Sequence, residues 1–485
     1  MTLGEVAAAI GAVCPDAAKG LRVCRVSADS RQTEKDDLFV AIKGERFDGH
    51  AFVEQARANG AVACICRRGG WRAGSGRSTI PLLEVDDTIA ALGRLATHYR
   101  ARFSPPATIV IAVTGSNGKT TTKSMIDHVL RHSIKGCCSP RSFNNAIGVP
   151  LSILSADSDD RYMIIEIGSN ARGEIASLGR IVMPDVAVIT SIGDAHTEGL
   201  GDLNAIAAEK ASLLTYVRAG GLAIVNVDNP AIRTHLHRAS RVRMVTIGRS
   251  AGADWRVTGV RGTMRLTEFE LDGEYHVELP MPGIHHATNA AAAFCVAAEF
   301  GLSRSEIAER LRSFKALDGR TRLYDLGDIK LIDDTYNANP ASMIAALQTM
   351  RHENHRRRVF VMGDMLELGQ SGPAQHVRMV RAAYDAGIDV LVTVGPTTAR
   401  AAASLCRAAV PPKSICCEDA HSAAEVLLAV LAPGDTVWVK GSRAMALDRA
   451  VARVRADYGR RRDPQRSKAG PGRCGAGSPA VSLAP

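Results

Sequence analysis

The chain has 485 residues, with 60 Lys+Arg against 50 Asp+Glu and a formal net charge of +10. Apolar residues at 46% and charged residues at 23% suit a folded protein of about three domains and exclude wholesale disorder. The basic balance, with a pI near 9.2, invites a nucleic-acid reading, but 4% aromatic content is poor supply for base stacking.

The eleven cysteines are odd in number and include no C-x-x-C, so they read as reduced thiols in a cytoplasmic protein, not as a disulfide frame or zinc site. No apolar run reaches about 18 residues, so no membrane span is expected. Thr2-x-x-Glu5 at the N-terminus reads as the capping box of a helix and not as a signal peptide.

Residues 1–104 mix short helices and strands, with Asp37–Ile42 as a strand and the Arg/Gly/Ser-rich stretch Arg67–Ser78 as a loop. Ser104-Pro105-Pro106 marks a hinge. A second domain, 105–317, opens on the β-branched run Thr108–Val113, followed by a turn and a helix over Thr120–Arg131. Further apolar runs at Tyr162–Ile167, Val186–Ile192 and Leu222–Val227 alternate with helical patterns, predicting an α/β domain with a mostly parallel sheet. A third, Rossmann-like α/β domain spans 318–458, with strands at Lys330–Ile332, Val359–Met362, Val390–Val394 and Thr436–Val439. From Gly459 to Pro485, sixteen of 27 residues are Gly, Ala, Ser or Pro, which predicts a disordered tail. Six Lys/Arg and one Asp in that tail carry half of the net charge.

Thr114-Gly115-Ser116-Asn117-Gly118-Lys119-Thr120-Thr121 lies between a buried strand and a helix start, where a phosphate-binding loop belongs. Backbone N–H groups of the loop would hold phosphate oxygens, Lys119 would reach the β- and γ-phosphates, and Thr120 would ligate Mg²⁺. The strict pattern wants another Gly where Val113 stands. Glu166 sits inside the apolar run Met163–Gly168, where a carboxylate must be metal-bound or paired, for instance with a buried Arg. His196 follows a strand and is either structural or a metal ligand.

Together these strings resemble the Mur ligase superfamily, which includes folylpolyglutamate synthases. The resemblance implies that Lys210, in Ala-Ala-Glu-Lys, is carbamylated and helps Thr120, Glu166 and His196 hold Mg²⁺. It implies that Asn289 contacts ATP, with His286 standing where many members have Asn, and that Arg320 reaches the γ-phosphate from the third domain. Asp333-Asp334-Thr335-Tyr336-Asn337-Ala338-Asn339-Pro340, Gly363–Gly369 and Lys440–Arg443 resemble the D-alanyl-D-alanine-adding branch of the family. By its own chemistry Asp334, at a strand's end, suits ribose hydroxyls, and Asn337 and Asn339 suit an adenine edge. A turn in which Asn339-Pro340 opens a helix is compatible with that role. Asp29-Ser30-Arg31 and the Gly44–His50 stretch, with Arg46 and His50, resemble a uridine-binding domain, and Asn144 and Asn145 a loop near a muramoyl group.

The resemblance therefore implies an ATP-dependent ligase joining UDP-N-acetylmuramoyl-tripeptide to D-alanyl-D-alanine through an acyl phosphate, in peptidoglycan precursor synthesis; a monomer is expected. An amino-acid-adding ligase or folylpolyglutamate synthase on the same scaffold is the alternative, against which Tyr336–Asn339 argues. A nucleic-acid-bound ATPase would instead show nucleic-acid-stimulated turnover and steep salt dependence.

Overall fold

Three sheets, each largely or wholly parallel, organise the chain in a computed structural model that describes residues 1–45, 47–71, 80–102, 108–352, 357–405 and 413–462. The described residues fall into two compact units, one holding those of 1–317, 339–352 and 366–372, the other the remainder. The second unit begins at Asp318. The Ser104–Pro106 hinge, Arg46 and most of the Arg67–Ser78 loop lie outside the described residues.

In the first unit, the helix Leu3–Ile10 carries the expected capping box of Thr2 and Glu5. It covers a four-stranded parallel sheet ordered Arg25–Ser27, Asp37–Val40, Ala63–Arg67, Leu82–Val85. The helix Thr88–Arg102 then leads to a nine-stranded sheet. That sheet's parallel part places Ile109–Thr114 between Tyr162–Glu166 and Val186–Ile189, with Leu222–Asn226 beyond, close to the strands expected from the apolar runs. One continuous core joins the two sheets, running from Leu3, Leu38 and Ile65 through Leu92 and Leu95 to Ile153, Ile165 and Ile189. Arg100, buried, reaches across to the Val182 carbonyl at 3.1 Å and to Asp185 Oδ2 at 3.0 Å.

Beyond Arg243–Gly248, the sheet is extended by Trp255–Gly262, Thr267–Leu271 and Tyr275–Leu279, paired antiparallel with one another. Sequence reading passed over these strands. Their buried residues, such as Phe269, Leu271, Val277 and Leu279, alternate with Glu268, Glu270 and Glu278, so no continuous apolar run marks them.

The second unit holds a six-stranded sheet ordered Arg322–Asp325, Lys330–Asp334, Thr436–Lys440, Arg358–Gly363, Val390–Val394, Lys413–Cys417. Only the first strand runs antiparallel to its neighbour. The final helix, Asp448–Arg462, continues through Gly459, so the structured chain outlasts the expected start of the tail. Burial of Val451, Val454 and Tyr458 at helical spacing against the sheet explains this. Residues 463–485 lie outside the described set. No helix among the described residues is long and apolar enough to cross a membrane.

Candidate active site

The strand Ile109–Thr114 delivers the loop 114–118 to the start of the helix Lys119–Leu130. Gly118 occupies the helix N-cap at φ +82°, and no side chain caps the helix there, which leaves the positive end of its dipole facing the loop. A Cβ at Gly118 would lie 2.4 Å from Asn289 Oδ1, and one at Gly115 (φ +145°) would lie 2.2 Å from Thr190 Oγ1. Both glycines are therefore required by close approach as well as by backbone conformation. Asn289, on the helix His286–Glu299, is thereby placed against the phosphate loop.

The loop is braced from the neighbouring strand's end. Ser116 N donates to the Ser191 carbonyl at 2.8 Å, Ser116 Oγ donates to the Gly193 carbonyl at 2.9 Å, and Asn117 N donates to Ser191 Oγ at 3.0 Å. Asn117 Oδ1 also accepts from Asn339 Nδ2 at 2.7 Å. Asn339 Oδ1 meanwhile accepts from Ser342 N, capping the helix Pro340–Arg351. Both ends of that amide are thus engaged in fixing the loop and the helix, and the Asn339-Pro340 helix start read from sequence is present. Lys119 Nζ lies on the Gly115 carbonyl at 2.8 Å.

Glu166 is the register partner of Val113, so its carboxylate stands beside the strand that ends in the phosphate loop. It is buried. Oε1 accepts from Asn144 Nδ2 at 2.8 Å, while Oε2 has no hydrogen-bond partner and lies 3.4 Å from Lys123 Nζ. The buried cation beside Glu166 is thus a lysine, not the arginine considered from sequence. Lys123 escaped notice because a helix lysine is solvated by default, although it lies one turn beyond Lys119 on the same face. Its ammonium is further tied to the Ser139 carbonyl at 2.7 Å and to the Arg141 carbonyl. Thr120 Oγ1 lies 3.2 Å from Ser142 Oγ.

Lys210, near the end of the helix Leu203–Ala211, is 1% exposed and donates to Ser169 Oγ at 2.7 Å. Burial first, and then the charge of Lys119, pull its pKa down to about 7. A buried amine so poised is neutral for much of the time near neutral pH. His196 takes a left-handed backbone (φ +56°) and its Nδ1 meets Glu367 Oε2 at 2.5 Å. This hydrogen bond holds the Glu367 carboxyl below the usual range. Glu367, also left-handed at φ +62°, sits in the Gly363–Gly369 string that sequence reading singled out without giving it a role.

The residues expected to meet a uridine substrate divide. Arg31 pairs with Asp29 on the surface, and Ser30 donates to Gln55 Oε1. His50 is buried with both ring nitrogens engaged, Nδ1 by Asp48 and Nε2 by the Arg67 N–H, so its present work is to hold its own loop. Asn145 Oδ1 accepts from the Ile147 and Gly148 N–H groups at the start of the helix Gly148–Leu154.

In the second unit, Lys440 Nζ bridges Asp334 Oδ2 at 2.7 Å and the Asn337 carbonyl at 3.0 Å. Arg320 lies with Cζ 3.8 Å from the centre of the Tyr336 ring. Asp333 accepts from Gly319 N and from Thr335 Oγ1, and burial pushes its carboxyl up.

The loop and the sheets define a phosphate-loop α/β protein of the nucleotide-binding kind. Three family descriptions match consecutive parts of the chain: Mur ligase family, catalytic domain, over 22–100; Mur ligase middle domain over 113–297; and Mur ligase, glutamate ligase domain, over 319–443. The chain belongs to the Mur ligase family. It is 34% identical over 440 residues to the UDP-N-acetylmuramoyl-tripeptide–D-alanyl-D-alanine ligase of Synechocystis, covering 90% of this chain and 93% of that protein. The enzyme of the same name from Escherichia coli is 37% identical over 378 residues, 76% of this chain and 81% of its own. Among solved structures, MurF from Acinetobacter baumannii superposes with a TM-score of 0.83 at 30% identity, covering 94% of this chain and 99% of that one. MurF from Thermotoga maritima, in complex with ADP, gives 0.77 at 26% identity over 91% and 99%.

Proposed function

We propose that the chain is an ATP-dependent ligase that joins D-alanyl-D-alanine to UDP-N-acetylmuramoyl-tripeptide, in the cytoplasm, as a step of peptidoglycan precursor synthesis. The observation that carries this reading is the assembly around one helix start: the phosphate loop, the Glu166 carboxylate beside its strand and the buried Lys210 amine within reach of Lys119's charge. The names of the relatives supply the substrates.

A carboxylate is a poor electrophile, so the tripeptide's terminal carboxylate first takes the γ-phosphoryl group of ATP, releasing ADP. The N–H groups of 115–120 hold the phosphates, and Lys119 leaves the Gly115 carbonyl to neutralise the transferring group. Arg320 adds a second cation. The dipeptide amine then attacks the acyl carbon, the resulting tetrahedral intermediate loses phosphate, and the amine proton is released. Glu166 Oε2, buried without a hydrogen-bond partner, fits an oxygen-seeking divalent cation. Thr120, Glu166, His196 through the nitrogen that Glu367 leaves open, and a carbamate on Lys210 are the groups that would hold Mg²⁺. Bound there, Mg²⁺ supplies positive charge to the phosphates. A carbamate forms when the neutral Lys210 amine attacks CO₂ and loses a proton, converting a buried cation into an anion.

Asp334 contributes to nucleotide binding at the ribose, Asn289 and Asn337 at the base and phosphates. Ser30, Arg31, Asn144 and Asn145 belong to the face that receives the UDP-sugar. The test is purified protein with ATP, Mg²⁺, UDP-muramoyl-tripeptide and a panel of D-alanyl-D-alanine, diaminopimelate, lysine and glutamate, with products followed by mass. Pentapeptide from D-alanyl-D-alanine alone is expected; elongation by a single amino acid instead would move the chain to another branch of the family.

A further inference from the structure

Arg320 is not simply an exposed cation on a loop. It lies between two residues of left-handed backbone, Gly319 at φ +71° and Thr321 at φ +54°. A β-branched residue in that region is strained, and such strain persists only where surrounding contacts impose it. Here the contacts are visible. Thr321 is buried, Gly319 N donates to Asp333 Oδ2 at 3.1 Å, and Tyr336 N donates back to the Gly319 carbonyl at 3.0 Å. The segment 333–336 thus clamps the backbone at Gly319, immediately before Arg320. The Tyr336 ring then lies under the guanidinium, 3.8 Å from its Cζ. A planar guanidinium over an aromatic face is attracted by the ring's quadrupole, and the stacking fixes its plane.

We propose that Tyr336 is a positioning residue for Arg320: its ring is the platform that fixes the plane and reach of the guanidinium before ATP arrives. This deepens, and rests on, the reading of Arg320 as the cation that meets the transferring phosphoryl group. On this account the tyrosine hydroxyl is dispensable and the ring face is not. Pre-orientation lowers the ordering cost of the phosphoryl-transfer step, so its loss falls on kcat.

The test compares Tyr336→Phe and Tyr336→Leu in the full-length enzyme, each also combined with Arg320→Lys, with thermal unfolding recorded for every variant. Tyr336→Phe is expected to stay within about twofold of the parent, and Tyr336→Leu to lose about tenfold in kcat with the KM for D-alanyl-D-alanine unchanged. In the Arg320→Lys background, Tyr336→Leu should cost less than about twofold, because a flexible ammonium gains little from a flat platform. Equal losses from Phe and Leu would point to the hydroxyl and overturn the proposal, as would the same tenfold loss in both backgrounds. Should Arg320→Lys and Arg320→Ala both retain full kcat, the role of Arg320 itself would fall and the platform with it. A damaging Arg320→Ala beside a harmless Tyr336→Leu would overturn the platform alone.

Discussion

Asp334 and Lys440 are register partners at the ends of neighbouring parallel strands, and the lysine Nζ donates to Asp334 Oδ2 at 2.7 Å. The lysine side chain is 4% exposed and the aspartate 14%. Removing one member of so buried a pair leaves the other charge without compensation. Lys440→Met should therefore lose about 3 kcal/mol in urea unfolding. If Asp334 meets the ribose as proposed, it should also raise the KM for ATP, since that carboxylate would no longer be held. Adding Asp334→Asn should restore stability but not ATP affinity; recovery of both would remove Asp334 from the nucleotide site.

Glu166 and Lys123 make the corresponding pair in the first unit. Lys123→Met should cost about 3 kcal/mol in metal-free buffer. If Glu166 Oε2 accepts a divalent cation, Mg²⁺ should raise the melting temperature of Lys123→Met more than that of the parent. In Glu166→Gln the Mg²⁺ response should vanish while the fold survives. A Mg²⁺ response unchanged by Glu166→Gln would place the cation elsewhere.

Lys210 gives a pH signature. Its pKa lies at about 7 in the folded chain against an ordinary 10.5, so between those values the unfolded chain binds more protons. In CO₂-free buffer, stability contributed at this site should rise with pH across that window, with the full penalty of the buried ammonium present below about 7. Lys210→Met should flatten the slope. With ¹³C-bicarbonate, a carbamate signal should strengthen as pH rises through about 7 and be absent from Lys210→Met. A signal indifferent to that substitution would assign the carbamate to another amine.

Gly118→Ala should damage nucleotide binding without dismantling the fold. The added Cβ would meet Asn289 Oδ1 at 2.4 Å on a backbone at φ +82°. Conformational strain alone amounts to about 1–3 kcal/mol. Calorimetric titration with a non-hydrolysable ATP analogue should show the loss. Asn289→Ala in the same chain should relieve the collision but not the strain, recovering only part of the stability.

The phosphate loop was legible because its parts are contiguous: a β-branched strand, two glycines forced by close approach, and a lysine and threonine opening a helix. The parallel strands were legible for a similar reason, being buried on both faces and hence continuous in apolar residues. What sequence hid were pairings between distant positions. Nothing local marks Lys123 as the partner of Glu166, Lys440 as that of Asp334, or Glu367 as that of His196. His50 shows the converse. Its string suggested a substrate contact, but its ring nitrogens are taken by Asp48 in its own turn and by the Arg67 N–H at the end of a strand.

The core shared by the first two sheets bears on how such ligases could exchange specificities. Leu92 and Leu95 on the helix Thr88–Arg102 face residues of both sheets' core, and Arg100 is anchored to Val182 and Asp185 far along the chain. A cut near residue 102 would open that core on both sides and strand a buried guanidinium. The layer assigned to the UDP-sugar is therefore not a detachable cassette. Transplanting it between family members would require the matching surface, including the Ile153 and Ile189 neighbourhoods, to travel with it. Changes of sugar-nucleotide or peptide preference in this architecture should accumulate by point substitution at loops, not by recombination at the apparent border.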